Sequence, residues 1–355
     1  MVDWKKSMQQ TFEYYTVDPR TWKDMYKIDT VKSASISRDS TVETLGSATI
    51  DIAESLGECY VRFYLITIQN GVKEKHPLGT FLVQTPSSKF DGKIRSVSMD
   101  AYTPLLELKE KKPNVGYSIL EGANIMRNAY LIIRDRVRAP VVETNCDETL
   151  YSDFVSNTND TWVTFIRDLV ANAKYELGLD ELGRVLFLPK QETVSLQPVW
   201  TYDDSNSSIL YPDIDIEHDL YGVPNVVEVI YSNAQYCYYA KVVNDDPNSP
   251  TSTINRGREI PYTVTNPELY GIPNQAQINE YAERVLRELS TLEYTINYRH
   301  GYCPVRIGDC VRLNYHKAGL NDIKAKVISQ TIKCEPGCPV DEKAVITVKL
   351  WGDIL

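Results

Sequence analysis

Residues 59–69, Cys-Tyr-Val-Arg-Phe-Tyr-Leu-Ile-Thr-Ile-Gln, place Tyr60, Arg62, Tyr64, Ile66 and Ile68 on one side of an extended chain and Val61, Phe63, Leu65 and Thr67 on the other. Asn70-Gly71 follows at once, the pair that most readily takes the left-handed conformation a two-residue hairpin requires. A long strand closed by such a turn commits this part of the chain to antiparallel sheet. Shorter β-like runs flank it, at Val31–Ile36 and Ala48–Ile52 before, and at Leu78–Gln84 and Ile94–Ala101 after. The last two are separated by the turn-rich Pro86–Gly92. Strands at this spacing predict a small barrel or sandwich over residues 28–112.

Three other regions separate along the chain. Residues 1–27 carry Trp4, Phe12, Tyr14, Tyr15, Trp22 and Tyr26 without a clean period, and are expected to form an arm that packs either on a neighbour or on the chain's own body. Residues 113–200 change to helical spacing, which predicts an α+β insert. One helix is expected over about 117–137. A second, over about 160–177, has Asn159 or Asp160 as its cap and Trp162, Phe165, Ile166, Leu169, Val170, Ala173 and Leu177 on its buried stripe. It leads to a strand, the turn Asp180–Gly183 and a strand at Arg184–Leu188. Residues 201–355 return to strands, with a hairpin from Asn225–Ser232 and Ala234–Val243. Further strands are expected at Tyr294–Tyr298, Ile307–Leu313, Lys324–Lys333 and Ala344–Leu350. A helix over about 275–290 interrupts this region, with Ile278, Tyr281, Ala282, Val285, Leu286 and Leu289 in phase. Before it lies a polar, turn-forming loop, Asn244–Thr251. The fold class expected is α+β and β-dominated, with two small β-barrel domains around the α+β insert.

Charge narrows the function. Lys and Arg number 38 against 48 Asp and Glu, a net charge of −10, opposite in sign to a chain that grips phosphate backbones. The one basic run, Lys109-Glu110-Lys111-Lys112, is short, interrupted by an acid and expected to be a solvated loop. Sequence-specific nucleic-acid recognition is therefore disfavoured. The 24 tyrosines against 7 phenylalanines point instead to half-covered sheets and subunit interfaces, where a ring with a polar tip is useful. No apolar run approaches the about 20 residues a membrane span needs, and Met1–Lys6 has no apolar segment behind its charges, so the chain is expected to fold in the cytoplasm of its host.

The search for chemistry turns up weak candidates. Seven cysteines, an odd number spread thinly, read as reduced thiols. Cys303, Cys310, Cys334 and Cys338 offer four thiolates, but not the short paired hooks of closed zinc sites. Cys334–Cys338 reads as a hairpin turn flanked by cysteines. No phosphate-cradling glycine loop, zinc-protease motif or nucleophile elbow occurs. His76, His218, His300 and His316 stand far apart, and Cys303 beside His300 fits no oriented dyad. Asp213, Asp215, Glu217 and Asp219 alternate with Ile214 and Ile216. On a strand they form either a cation or glycosidase site or, as the sequence favours, a charged outer face guarding an edge. Asp203, Asp204, Asp245 and Asp246 are turn formers. No catalytic, cofactor-binding or metal residue is assigned, and no enzyme activity is expected.

The order of barrel-like strands, helical insert and strands again resembles the baseplate and tail-tip hub proteins of tailed bacteriophages. These include the T-even and Mu baseplate hubs, the N-terminal hub domain of siphophage tail-associated proteins and the hub half of type VI secretion spikes. Four stretches carry the resemblance over residues 30–355: Arg95–Leu106 as the close of the first barrel segment, Asp160–Leu188 as helix plus glycine-turned hairpin, Asn244–Ser252 running on to Arg256-Gly-Arg258, and Val305–Val311 as the entry to the last strands.

The resemblance implies a homotrimer in which six barrels form a ring of quasi-sixfold symmetry. Such a ring joins the tail tube or distal tail protein, with the tape measure protein, to a threefold central spike or tail fibre. DNA passes through the lumen, and an acidic wall would let it slide. The location implied is the virion tail tip or baseplate, assembled in the host cytoplasm. The sequence stops at Trp351–Leu355 after its last strand, so any lysin or adhesin is expected on another polypeptide. A carbohydrate-binding tail adhesin and a hydrolase using the 213–219 carboxylates are the alternatives.

Overall fold

The computed structural model describes residues 2–53, 56–90, 95–191, 193, 195–217, 222–232, 235–267 and 274–349. The chain divides into two compact units, Met1–Ile214 with Asn297–Ala344 and Asp215–Ile296 with Val345–Leu355, a division unlike the four consecutive regions expected from the sequence.

The first unit opens with seven strands: β1 (Gln9–Val17), β2 (Asp24–Lys27), β3 (Val31–Asp39), β4 (Gly46–Ile52), β5 (Cys59–Gln69), β6 (Val72–Phe90) and β7 (Arg95–Tyr102). They lie in the order β3-β4-β7-β6-β5-β1-β2. Strand β5 has the limits its alternation sets. Asn70 and Gly71 take φ values of 51° and 78°, which close the hairpin onto β6 with Gln69 opposite Val72. The turn expected at Pro86–Gly92 lies partly outside the described residues, and β6 runs through Phe90.

Residues 1–27 pack on the chain's own body, as part of the sheet. Strand β1 pairs with β5 along its whole length, from Gln9 opposite Ile68 to Val17 opposite Tyr60, and so covers an edge that would otherwise be open. Both faces of β5 are buried over residues 60–67, although its tyrosines suggested a half-exposed sheet. Val61, Phe63 and Leu65 enter one core with Ile36, Ile50 and Met99. Tyr60 enters a second core, between the sheet and the insert.

The insert contains α1 (Leu106–Lys109), β8 (Ser118–Ile119), α2 (Ile125–Arg134), β9 (Phe154–Val155), α3 (Trp162–Ala171), β10 (Tyr175–Leu179) and β11 (Val185–Pro189). Helix α2 is about half as long as the apolar spacing suggested. Gly122, at φ 76°, turns the chain, and Asn124 caps the helix by accepting from the Arg127 amide at 2.8 Å. The residues before it pair with 149–155 instead, so Ile119 is buried from a strand and Leu120 is 66% exposed. Helix α3 starts at a Thr161–Thr164 capping box rather than at Asn159 or Asp160. It stops at Ala171, and Lys174 at φ 59° swings Leu177 into β10. The stripe from Trp162 to Val170 is buried as expected.

After β12 (Pro198–Asp203) and β13 (Leu210–Glu217) the chain enters the second unit. This holds β14 (Val226–Ser232), β15 (Cys237–Val243), α4 (Thr253–Arg256), β16 (Pro261–Thr265) and α5 (Gln275–Leu289). Its sheet runs β15-β14-β16, and α5 presses Ile278, Ala282 and Leu286 onto Val227, Val229 and Ala240. The hairpin and the helix follow their sequence patterns, though Ala234 lies outside the described residues. The parallel partner β16 was not foreseen, because Pro-Tyr-Thr-Val-Thr is too short and polar to announce a strand.

The remaining strands are β17 (Thr291–Gly301), β18 (Cys310–Tyr315), β19 (Leu320–Lys333) and β20 (Pro339–Lys349). They extend the first unit's sheet as β13-β17-β20-β19, with β18 attached to β19 and β12 to β18. The two halves join where β19 pairs with β3, Ile332 opposite Ile36. The fold is β-dominated α+β, but among the described residues no ladder closes the strand path into a barrel.

Candidate functional site

Strand β13 places Asp213, Asp215 and Glu217 outward and exposed, with Ile214 and Ile216 half-buried between them; Asp219 lies outside the described residues. Asp203 and Asp246 bond within their own turns, and Asp203 also pairs with Lys5 Nζ at 3.4 Å. Asp203 accepts from the Ser205 amide at 3.1 Å and its hydroxyl at 2.6 Å, and Asp246 accepts from the Asn248 amide at 2.8 Å. Asp204 instead faces His316 Nδ1 at 3.4 Å, and Asp245 is exposed.

The histidines do not converge. His76 sits edge-on to Trp4, its ring centroid 5.0 Å away, and burial lowers its pKa despite the opposing charge of Glu74. His218 lies outside the described residues. Among the described residues no three His, Cys, Asp or Glu side chains stand as a metal-ligand group. Cys338 is buried at the turn after β19, and burial raises Cys334 to about 12.

His300 belongs to a buried polar cluster in the first unit. Its side chain and that of Glu342 are both fully enclosed, with Nε2 3.4 Å from Glu342 Oε2. Tyr298 donates its hydroxyl to Glu342 Oε1 at 2.5 Å, and Gln330 donates Nε2 to Oε2 at 2.5 Å. The Tyr202 hydroxyl is 3.1 Å from His300 Nε2 and 3.3 Å from Cys303 Sγ. On the far side of the ring, Nδ1 lies 2.7 Å from the Gly301 carbonyl, which fixes a proton there. Gln330 Oε1 accepts from Arg38 Nη1 at 3.1 Å, and Arg38 reaches on to the Leu78 carbonyl at 2.6 Å. One chain of bonds thus links β12, β17, β19 and β20 to β3 and β6.

The electrostatics are those of a sealed ion pair. Burial by itself would lower the His300 pKa, but the contacts with Cys303 and Glu342 and the Glu342 charge outweigh it and raise it to about 10. Burial would raise Glu342, yet the hydrogen bond and charge of His300, with Gln330 and Tyr298 donating, hold it below its usual range. Burial, reinforced by the Glu342 charge, pushes the Tyr202 and Tyr298 hydroxyls well up, so they remain donors. Cys303 is 1% exposed, and its sulfur is 4.0 Å from a His300 nitrogen already committed to Gly301. Here His300 and Cys303 are part of a structural clasp, closed to any substrate.

A signal of this group is present in the strand patterns. Glu342, Gln330 and His300 each fall at an inward position of an alternating strand, Glu342 between buried Val340 and Ala344 and His300 between buried Tyr298 and Tyr302. A polar residue at an inward position signals a hidden partner, but not which one.

The loop 244–260 is also more ordered than its composition suggested. Asn225 and Asn244 are completely buried. Asn225 donates to the Thr251 and Arg258 carbonyls at 3.1 and 3.0 Å and accepts from the Ile260 amide at 2.7 Å. Asn244 donates to Ser249 Oγ at 2.9 Å. The loop is a fastened structural element, with Arg256 and Arg258 brought to its closing end.

Comparison with solved structures gives a likeness along nearly the whole chain. The tail protein from Neisseria meningitidis MC58 is 13% identical, with 96% of this chain and 98% of that chain covered and a TM-score of 0.64. The 43 kDa tail protein of prophage MuSo2 from Shewanella oneidensis is 11% identical, with 96% and 98% covered and a TM-score of 0.62. The Francisella PdpA–VgrG complex, in its half-lidded form, is 11% identical, with 98% of this chain and 59% of that chain covered and a TM-score of 0.55. No protein-family model and no curated protein matches the sequence. At these identities the likeness is one of fold, and the fold is the one that phage tail proteins and a VgrG complex share with this chain.

Proposed function

We propose that this chain is a structural hub of a phage tail tip or baseplate, or of a particle derived from one. Three copies form a ring that joins the sixfold tail tube, or a distal tail protein with the tape measure protein, to a threefold central spike or fibre, and DNA passes through the ring. The observation that carries this reading is the extent of the likeness to two tail proteins, 96% of this chain and 98% of theirs, so the shared architecture runs along nearly the whole chain and is not one common module. The physics agrees. Strands such as β2, β12 and β13 end the sheet or branch from it, and edges of this kind are safest when a permanent neighbour covers them. The role is scaffolding, not catalysis, and the protein is a virion component. Mass measurement and particle imaging of the purified protein test the proposal: a three-copy ring with a central hole is expected, and a monomer at assembly concentrations overturns it. No cell-wall hydrolysis is expected, and Asp215→Asn should change nothing; a cleared zone at this chain's mass on a zymogram would reverse the non-enzymatic assignment.

A further inference from the structure

The β8–β9 ribbon of the insert has one face on the core and one face open. Ser118 pairs with Val155 and Asn124 with Thr149, so a single antiparallel register runs from 118 to 124 and sets Leu120 opposite Asp153. Ile119 and Leu150 are buried in the insert's core, and Tyr117, Ala123 and Phe154 pack against it. The alternate positions Leu120, Tyr151 and Val155 therefore point outward, with Tyr151 and Val155 the diagonal neighbours of Leu120 across the ribbon. Val115 joins them at a turn held by the Ser156 hydroxyl, which donates to the Asn114 carbonyl at 3.2 Å. Tyr151 is 92% exposed and Val115 87%, the highest values for large apolar side chains among the described residues. Apolar residues scattered singly over a surface need no explanation, but a group of them on one fastened ribbon marks a contact.

The charge around this face is of one sign. Residues 113–126 and 139–166 contain Glu121, Glu143, Asp147, Glu148, Asp153 and Asp160 and no Lys, Arg or His. Glu121 and Asp153 lie within the ribbon, and Asp147 and Glu148 at its α2 end, where the Glu148 carbonyl accepts from the Ile125 amide at 3.1 Å. Among the described residues none of these six carboxylates has an ion pair, whereas Glu107 and Asp180, also in the insert, are held by Arg138 and Arg184. Asp153 and Asp160 accept only from backbone amides, those of Glu121 and Asn157 at 2.8 and 2.7 Å. An apolar centre with an unbalanced acidic rim leaves a narrow choice of cover. DNA and anionic lipid are repelled. A second copy brings a net charge of −10 and, through the same face, the same acids. A protein surface with Lys or Arg around apolar side chains satisfies both the centre and the rim.

We infer that the outer face of the β8–β9 ribbon docks a different polypeptide of the particle, one that presents a cationic rim around apolar anchors, an inference that rests on the hub reading above. The test places the photo-reactive amino acid p-benzoylphenylalanine at position 151 of the full chain, in whole particles. Irradiation should join the chain to a different polypeptide, with Lys or Arg close to the joined residue. In a Glu121→Lys, Asp147→Lys, Glu148→Lys background the adduct should fall by about ten-fold or more. These three side chains are exposed, so the variant chain should keep the parent's melting temperature.

Absence of the unmodified chain from particles sinks the hub reading itself. With the chain incorporated, failure to form any adduct leaves the face open and overturns only the docking surface. An adduct to a second copy makes the face a subunit contact and overturns it too. An undiminished adduct in the lysine variant shows that the cover does not read the acids, and removes the cationic partner. If the lysine variant is not incorporated, the isosteric Glu121→Gln, Asp147→Asn, Glu148→Gln variant decides by the same readout.

Discussion

His300 Nε2 lies 3.4 Å from Glu342 Oε2, and neither side chain meets solvent. A buried charge is tolerable only when paired and hydrogen-bonded, and here Tyr298, Tyr202, Gln330 and the Gly301 carbonyl complete the pair. Because these groups come from four strands, the pair ties the first unit's C-terminal strands together. Arg38, through Gln330, extends the tie to its N-terminal strands.

Removing one partner leaves the other stranded. Glu342→Ala is expected to cost about 3–5 kcal/mol of stability, far more than a surface ion pair would. Urea unfolding of the variant against the parent measures it. A loss under 1 kcal/mol would mean that His300 is neutral and the pair is not ionic.

The same pair sets a pH dependence with a definite sign. His300 is raised to about 10, so its contribution is complete below the unfolded value of about 6.5 and drains away as pH rises through 10. Glu342 is depressed, so its contribution is present above about pH 4.3 and is lost as pH falls through its lower folded value. The urea midpoint should therefore decline between about pH 6.5 and 10 in the parent. In His300→Gln the decline over that window should be visibly flatter, and an equal slope in both would refute the pairing.

The turn Asp180–Gly183 is fastened to the sheet through one carbonyl. Leu182 O accepts from Trp22 Nε1 at 2.7 Å, from Thr80 Oγ1 at 3.0 Å and from Arg62 Nη2 at 3.3 Å. Gly183 follows at φ 75°, and a Cβ there would stand 2.8 Å from Thr80 Cβ. Gly183→Ala should lose about 1–3 kcal/mol through left-handed strain and the displaced contact. A melting temperature within a degree of the parent would show that the turn relaxes freely.

The fastened loop of the second unit depends on Asn225. Asn225→Ala would strip hydrogen bonds from the Thr251 and Arg258 carbonyls and the Ile260 amide, at a cost on the order of 2–3 kcal/mol. Hydrogen exchange should then lose protection over residues 244–260 before the rest of the unit. Unchanged protection there would mean the side chain is not the fastener.

Metal removal is expected to be silent. Burial raises Cys334 to about 12 and drives Cys338 up as well, and among the described residues no three His, Cys, Asp or Glu side chains stand as a metal-ligand group. Dialysis against EDTA should leave the melting temperature unchanged. A fall of several degrees, reversed by zinc, would restore the four-cysteine site.

The elements determined by the sequence alone are those written in local physics. Strand β5 with Asn70-Gly71, the stripe of α3 and the stripe of α5 each combine a clear period with a cap or turn whose chemistry needs no distant partner. Period tells which residues share a face, but not what covers it. Thus the alternation put Tyr60 and Tyr64 on one side of β5 without telling that both would be buried, and residues 117–123 looked helical until 149–155 paired with them. Only the tertiary structure could bring Tyr202 to His300 across 98 residues and to Glu342 across 140, because the free energy of a buried polar group lies in the partner it meets and not in its neighbours along the chain.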